Sequence, residues 1–135
     1  MSFLLDTNVL SELVRKAPAA SVVRRLRDAR QAELSTSAIC VTELRYGAAR
    51  HPAGRALWER LSREVLSLVT VLPVSTPVAI RAGDLLADLE RRGAGIGVED
   101  VLIAATALTH GLTVVTRNIR HLACVRGLAV QSWWE

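Results

Sequence analysis

The stretch Ser2-Phe3-Leu4-Leu5-Asp6-Thr7-Asn8-Val9-Leu10 decides the fold. Its first four residues predict a buried strand, and the apolar spacing from Thr7 onward predicts a helix that runs to about Arg15. Asp6 stands where the strand ends and the helix begins. In an open parallel sheet, that junction faces the crevice in which ligands bind. The stretch therefore predicts an α/β fold with an acidic group at its ligand-binding edge.

The rest of the chain alternates between helical and extended segments. Further helices are predicted from about residue 19 to 30, 37 to 50, 55 to 66, 76 to 92 and 99 to 110. Extended segments are predicted at 33–36, 67–74, 112–116 and 128–130. This alternation indicates a central, mainly parallel sheet with helices on both faces. A length of 135 residues is typical of one domain.

Composition narrows the function classes. The net charge is +4 and Lys16 is the only lysine, so the positive charge is almost all arginine. Arginine suits phosphate oxygens well, although a GC-rich genome also favours it. No apolar run is long enough to span a bilayer and no signal peptide is visible, which predicts a cytoplasmic protein with no membrane partner. Cys40 and Cys124 lie in apolar contexts and are predicted to be buried, reduced thiols.

Three acidic residues stand in apolar or small-residue surroundings, far apart in the chain. Asp6 ends the first strand, Glu43 lies in the helix after the second strand, and Asp100 opens a helix after a glycine-rich loop. Each has a structural explanation of its own. Asp6 can cap its helix, and Asp100 can interact with the helix dipole. Glu43 would be costly to bury unless it pairs with Arg45 or Arg50, or binds a cation.

Together the three carboxylates predict a divalent-metal site. Hard cations such as Mg²⁺ prefer carboxylate oxygen and keep several waters, so two or three acids suffice. Such an ion can activate water and neutralise a phosphate. The sequence contains no phosphate-binding loop, serine-hydrolase elbow or zinc-protease motif. We therefore expect a divalent-metal site that acts on a polyanion.

Four segments carry these acids and their neighbours. They are Leu4-Leu5-Asp6-Thr7-Asn8-Val9-Leu10-Ser11-Glu12-Leu13, Thr42-Glu43-Leu44-Arg45-Tyr46-Gly47, Asp100-Val101-Leu102-Ile103-Ala104-Ala105-Thr106-Ala107 and Val115-Thr116-Arg117-Asn118. In this order and spacing they resemble the motifs of PIN-domain proteins, especially the VapC-type toxins of toxin–antitoxin pairs. The terminal Trp133-Trp134 resembles the aromatic ending of these proteins. The resemblance spans nearly the whole chain.

This resemblance implies one PIN-like nuclease domain over residues 1–135. It implies a Mg²⁺- or Mn²⁺-dependent endoribonuclease in which Asp6, Glu43 and Asp100 are the catalytic and metal-binding acids. It also implies an RNA substrate and an inhibitory VapB-like antitoxin. A homodimer, and a hetero-oligomer with the antitoxin, are the implied assemblies.

One position departs from the family pattern. Many members carry a further acid a few residues after the fourth motif, where this chain has Ile119-Arg120-His121-Leu122. The number of metal ions, one or two, is therefore open. His121 is either a surface histidine or a group that binds a softer ion or contacts phosphate. Asn8, Thr116 and Asn118 are candidate auxiliary residues that orient water or substrate, or that cap local turns.

Other residues allow two interpretations. Arg24, Arg25, Arg27 and Arg30 form either a solvated helix face or a track for the RNA backbone. Trp58, Trp133 and Trp134 belong either to the core or to an interface.

Two other functions were weighed. A phosphatase with Asp6 as nucleophile is disfavoured, because its chemistry needs a second acid where Asn8 stands and a downstream lysine. A catalytically weak PIN module that binds RNA or protein is the alternative that stays open.

Overall fold

The computed structural model describes residues 1–134, and within them five strands and seven helices follow one another. The strands are β1 (Phe3–Leu5), β2 (Leu34–Ser37), β3 (Thr70–Leu72), β4 (Thr113–Val115) and β5 (Val130–Gln131). The helices are α1 (Thr7–Glu12), α2 (Ala20–Asp28), α3 (Ala38–Arg50), α4 (Gly54–Arg60), α5 (Thr76–Arg91), α6 (Val98–His110) and α7 (Ile119–Leu122). Short 3₁₀-helical turns occupy Gln31–Glu33 and Leu66–Leu68, and a π-helical turn occupies Leu61–Val65.

The sheet is parallel throughout, with the strand order β3-β2-β1-β4-β5. The chain first builds outward from β1 to β3, then crosses to the other side of β1 and adds β4 and β5. Because crossovers between parallel strands are almost always right-handed, this reversal puts helices on both faces. The predicted α/β fold is confirmed. The reversal also makes the β1–β4 boundary a topological switch point, where open sheets bind ligands.

The central strands are apolar because both faces of the sheet are covered. Leu4, Leu5, Val114 and Val115 have no exposed surface and form the centre of the main core. A second cluster lies between α5 and α6, and it includes Val78, Leu89, Val101, Ala104 and Ala105. This packing holds the carboxyl ends of β1 and β4 rigidly beside each other.

The three tryptophans differ in their surroundings. Trp133 is almost fully buried, with its ring 5.4 Å from that of Phe3 in an edge-to-face arrangement. Trp58 and Trp134 are half-buried. The guanidinium of Arg45 lies over Trp58 at 5.0 Å, and that of Arg117 lies over Trp134 at 5.3 Å. Trp133 is thus a core residue that fastens the end of the described chain to β1.

Helix starts were predicted more accurately than helix ends. The hydroxyl of Ser37 caps α3, as expected, and α5 begins at Thr76. α1 was expected to reach Arg15 but ends at Glu12, because the chain turns there and the Glu12 carboxylate accepts a hydrogen bond from the Ala19 N–H at 2.8 Å.

Some sequence predictions were wrong. α7 was not predicted, because four residues carry no helical repeat. β5 lies at 130–131 rather than 128–130. The helix expected to end near residue 66 ends at 60 and is followed by a π-helical turn. Cys124 is half-exposed, whereas Cys40 is buried as predicted; neither forms a disulfide.

Within the described residues, no helix has the length and hydrophobicity required to span a membrane.

Glu12 generates a test of the fold. Its buried carboxylate accepts hydrogen bonds from the Ala19 N–H and from the Arg15 guanidinium at 3.1 Å. Burial opposes ionisation, but these donors outweigh it and hold the pKa of Glu12 below its ordinary value. The ionised carboxylate therefore stabilises the fold above the ordinary glutamate pKa, and this contribution is lost as the pH falls through the lowered pKa.

We expect Glu12→Gln to lower the free energy of unfolding by about 1–3 kcal/mol at neutral pH, and by less near pH 4. Urea unfolding at both pH values measures this difference. Glu90→Gln, an exposed change on α5, serves as the control. A loss that is equal at both pH values would contradict the electrostatic explanation.

Candidate active site

An open cavity of about 960 Å³ lies at the carboxyl ends of β1 and β4. Six residues singled out from the sequence line it, and they are Asp6, Asn8, Glu43, Asp100, Thr116 and Asn118. The basic side chains of Arg117, Arg120 and His121 lie on the same wall. Residues from opposite ends of the chain thus meet at the switch point of the sheet.

Asp6 lies at the base of the cavity, with only 9% of its surface exposed. Its Oδ1 atom accepts a hydrogen bond from the Thr7 N–H at 2.8 Å, which caps α1. Its Oδ2 atom accepts a hydrogen bond from the Thr116 hydroxyl at 2.8 Å. The sequence offered helix capping as the structural explanation for Asp6. The carboxylate does cap α1, and it also lines the cavity.

Asn8 on α1 and Thr116, which directly follows β4, hold the Asp6 carboxylate in place. The Asn8 amide nitrogen lies 3.4 Å from Asp6 Oδ2 and 3.3 Å from Thr116 Oγ1. The Asn8 amide oxygen accepts a hydrogen bond from the Arg117 N–H at 3.1 Å. Thr116 Oγ1 accepts another from the Asn118 N–H at 3.1 Å. Thr116 therefore caps the turn after β4 and also orients Asp6, whereas Asn118 contributes its backbone.

Glu43 lies on α3 and faces the cavity from an exposed position. Because the residue is exposed, it avoids the cost of full burial that the sequence suggested. The Thr7 hydroxyl donates to Glu43 Oε1 at 2.6 Å. The suggested arginine partners lie elsewhere, because Arg45 packs over Trp58 and Arg50 lies over the Tyr46 ring at 5.1 Å.

Asp100 reaches the cavity from the first turn of α6. Gly97, which precedes the helix, has a φ of +93°, a conformation that favours glycine. Asp100 also meets the positive end of the helix dipole, as the structural explanation requires. Its Oδ2 atom lies 2.7 Å from His121 Nε2. His121 is therefore a neighbour of the acidic group rather than an isolated surface residue.

Two of the acidic residues, Asp6 and Glu43, have a raised pKa. Burial raises the pKa of Asp6, the hydrogen bonds from Thr116 and Thr7 oppose this, and the charge of Asp100 adds to the increase. Desolvation by the cavity wall raises the pKa of Glu43, the Thr7 hydrogen bond opposes it, and the charges of Asp6, Asp100 and Glu99 add to it. A divalent cation would relieve this repulsion.

The donor atoms suit a hard ion. Asp6, Glu43 and Cys40 each place a ligand atom within 4.8 Å of the other two. Burial raises the pKa of the Cys40 thiol to about 11, so the sulfur is protonated at neutral pH, and it lies 3.9 Å from Asp6 Oδ1. The carboxylates, with Asp100 on the same cavity, are therefore the ligands that fit Mg²⁺ or Mn²⁺.

Sequence reasoning missed two contacts at this site. The spacing of three residues places Cys40 and Glu43 on one face of α3, but the approach of the Cys40 thiol to Asp6 was not predicted. Thr7 was noted as a neighbour of Asp6, but its hydrogen bond to Glu43 joins α1 to α3 over 36 residues of sequence. Both contacts depend on how separate elements pack, which no local pattern encodes.

Comparisons with known proteins agree with this geometry. The family model for the PIN domain matches residues 3–126. A VapC ribonuclease, Y4jK of Sinorhizobium fredii, is 41% identical over 98% of this chain and 97% of its own length. Toxin FitB of Neisseria gonorrhoeae is 40% identical over 85% of this chain and 86% of its own. The structure of DNA-bound VapBC from Salmonella typhimurium superposes with a TM-score of 0.89, at 30% identity over 98% of both chains. The resemblance drawn from the sequence is confirmed.

The raised pKa of Asp6 yields a stability prediction. In the folded state the carboxyl binds its proton more tightly than in the unfolded chain, so ionising it costs stability. This cost grows as the pH rises through the raised pKa and is complete at neutral pH. Asp6→Asn should therefore raise the free energy of unfolding in EDTA by about 0.5–2 kcal/mol.

Thermal unfolding of both proteins, in EDTA and in excess Mn²⁺, measures the effect. We expect Mn²⁺ to stabilise the wild type more than Asp6→Asn, because the ion binds the native acidic site. The exposed change Asp84→Asn controls for the loss of a charge. Two results together would contradict this explanation: Asp6→Asn is less stable than the wild type in EDTA, and Mn²⁺ stabilises both proteins equally.

Proposed function

Because the chain belongs to the PIN domain family, we propose that it is the endoribonuclease toxin of a VapBC-type toxin–antitoxin pair and that it depends on Mg²⁺ or Mn²⁺. The observation that carries the proposal is the convergence of Asp6, Glu43 and Asp100 on one cavity. The curated relative named a VapC ribonuclease supports the reaction class. The relative named a toxin supports the biological role.

The reaction is hydrolysis of an RNA phosphodiester bond. Water attacks the phosphorus, the bond from phosphorus to the 3′ oxygen breaks, and the products are a 5′-phosphate and a 3′-hydroxyl. A divalent ion, when bound, would supply positive charge that polarises water and offsets the phosphate charge. Asp6 and Asp100 would hold this ion. Glu43 would complete the ligand set or accept the proton of the attacking water.

The residues around the acids prepare them for this reaction. Thr116 and Thr7 hold the two oxygens of Asp6 at 2.8 Å each, so the carboxylate has little freedom before an ion binds. The raised pKa of Glu43 favours its acting as a general base, because a base works best when its pKa approaches the working pH.

Arginines provide the attraction for RNA. Arg117 and Arg120 line the cavity, so they can contact the phosphates that flank the scissile bond. The arginines of α2 are less suited to this role, because they do not line the cavity that holds the three acids. Arg25 lies over Trp133 and also donates to Gln131, and Arg30 lies 3.7 Å from Glu33. We therefore assign substrate contact to the cavity wall rather than to the face of α2.

The partners follow from the same assignment. We propose that a VapB-like antitoxin binds the protein and blocks cleavage, and that the protein forms a homodimer and a hetero-oligomer with the antitoxin. The solved VapBC complex supports this assembly. We further propose that residues 1–135 form one nuclease domain that works in the cytoplasm.

Cleavage by purified, antitoxin-free protein tests the proposal. We expect cleavage of structured RNA in Mg²⁺ or Mn²⁺, its loss in EDTA, and its return when the ion is restored. Asp6→Asn, Glu43→Gln and Asp100→Asn should each lower the cleavage rate by about 10²–10³-fold, because each removes a charge that acts on the reacting groups. The products should carry 5′-phosphates, which a 5′-phosphate-dependent exonuclease detects.

Asp28→Asn, an exposed change at the end of α2, should cleave at the wild-type rate. Cleavage that survives EDTA, or full activity in the Asp6 and Asp100 variants, would contradict the assignment. Tight RNA binding by the wild type without cleavage would point instead to a catalytically weak binding module.

A further inference from the structure

Two adjacent tryptophans near the end of the chain have different surroundings. Trp133 is buried in the main core, whereas Trp134 is half-buried and packs against that core from outside. The guanidinium of Arg117 lies 5.3 Å from the centre of the Trp134 ring. A cation within about 6 Å of an indole ring is attracted to its face. Arg117 also lines the cavity that holds the acidic residues, so Trp134 supports a basic residue of that cavity without lining it.

The sheet determines where this indole lies. Arg117 comes shortly after β4, and Trp134 comes shortly after β5, the strand that pairs with β4. Between them, the Thr116 N–H donates to the Gln131 carbonyl at 3.0 Å and extends the pairing. The Trp134 N–H donates to the Ser132 hydroxyl at 3.1 Å, which fixes the segment that follows β5. The two side chains therefore meet because their strands are neighbours.

Arg117 is held at two points and still has donors to offer. Its backbone N–H donates to Asn8 Oδ1 at 3.1 Å, and its guanidinium lies over Trp134. Within residues 1–134, this guanidinium forms no ion pair and no hydrogen bond. A guanidinium is a planar fork whose N–H groups match the oxygens of a phosphate. Arg117 thus presents a fixed, unpaired fork at the cavity wall.

Arg120, the other arginine of the cavity wall, lacks this support. It is exposed on α7, and in the part of the chain that the structure describes no aromatic ring lies beneath its guanidinium. Ordering a long, mobile side chain on binding costs entropy, so an arginine that is already held in place binds a phosphate more tightly. Arg117 is therefore the cavity arginine better suited to a defined phosphate contact.

We propose that Trp134 is a positioning residue for substrate binding, which holds the Arg117 guanidinium in place to contact an RNA phosphate at the cavity. This inference rests on the proposed function, because it assumes that RNA enters the acidic cavity. The indole does not line that cavity, so it should affect the affinity for RNA and not the chemical step. Trp134 then has a role beyond the core or interface position that its sequence allowed.

RNA binding by the purified full chain without antitoxin tests the inference. Fluorescence anisotropy of a labelled, structured RNA, in low-salt buffer with EDTA, measures the dissociation constant without cleavage. Trp134→Ala should raise this constant about 3–10-fold, because the arginine loses its support. Trp134→Phe keeps a ring face and should stay within about twofold of the wild type. Cleavage kinetics in Mn²⁺ should show the same rise in KM with kcat unchanged.

A double-mutant cycle separates positioning from a structural effect. In Arg117→Ala protein, adding Trp134→Ala should change the dissociation constant by less than about twofold, because the indole then has no guanidinium to hold. Trp58→Ala is the matched control. It removes another half-buried tryptophan that lies under an arginine, but one outside the lining of the acidic cavity, and it should bind RNA as the wild type does.

Circular dichroism checks that each variant folds. Wild-type affinity in folded Trp134→Ala, an undiminished loss in the Arg117→Ala background, or an equal loss in Trp58→Ala would overturn this inference alone. If Trp134→Ala does not fold, Trp134→Leu decides, because it keeps apolar bulk without a ring and wild-type affinity there would also overturn the inference. RNA binding that depends on Trp134, without cleavage in Mn²⁺, would overturn the proposed reaction alone. No RNA binding by the wild type would overturn both.

Discussion

The active cavity depends on the parallel pairing of β1 with β4. The Asp6 N–H donates to the Val115 carbonyl at 2.9 Å, and one residue further the Thr116 hydroxyl donates to the Asp6 carboxylate at 2.8 Å. These two hydrogen bonds join positions 109 and 110 residues apart in the sequence. They lie at the switch point of the sheet, where crossovers depart to opposite faces and leave a crevice. The apolar strands below supply rigidity, because close-packed interiors do not yield to small forces. α3 and α6 then bring Glu43 and Asp100 to the same crevice.

The ionised carboxylate of Asp6 lowers stability at one point of the fold. Asp6 is buried and has a raised pKa, to which the charge of Asp100 adds, and the charges of Asp6 and Asp100 also help to raise the pKa of Glu43. Each hydrogen bond to Asp6 comes from a neutral donor, so the charge is oriented without being neutralised. Glu12, in the last turn of α1, shows the contrasting arrangement. That carboxylate is also buried, but an arginine and a backbone N–H satisfy it and lower its pKa. Asp6 and Glu43, which have no positively charged partner here, are therefore suited to bind a cation, whereas Glu12 is not.

Much of this arrangement could be predicted from the sequence, for definable reasons. Asp6 was identifiable because an apolar strand ran directly into a capped helix, and Asp100 because it followed a glycine-rich loop. Glu43 was identified, but its surroundings were expected to be buried, whereas the exposed face of α3 carries it. The hydrogen bond from Thr7 to Glu43 and the contact of His121 with Asp100 depend on how separate helices pack, which no local pattern encodes. The short helix α7 was missed for the same reason, since Leu122 fixes it through tertiary packing. The roles of the auxiliary residues stay predictions, although Asn8 and Thr116 do contact Asp6.

Anomalous X-ray diffraction from crystals of the antitoxin-free protein soaked in Mn²⁺ would test the central claim most directly. The claim is that folding gathers three distant carboxylates into a site for a hard ion. We expect an anomalous peak in the β1–β4 cavity, about 2–2.3 Å from oxygens of Asp6 and at least one of Glu43 and Asp100. A cavity without a peak at saturating Mn²⁺, or a peak confined to other parts of the surface, would contradict the claim.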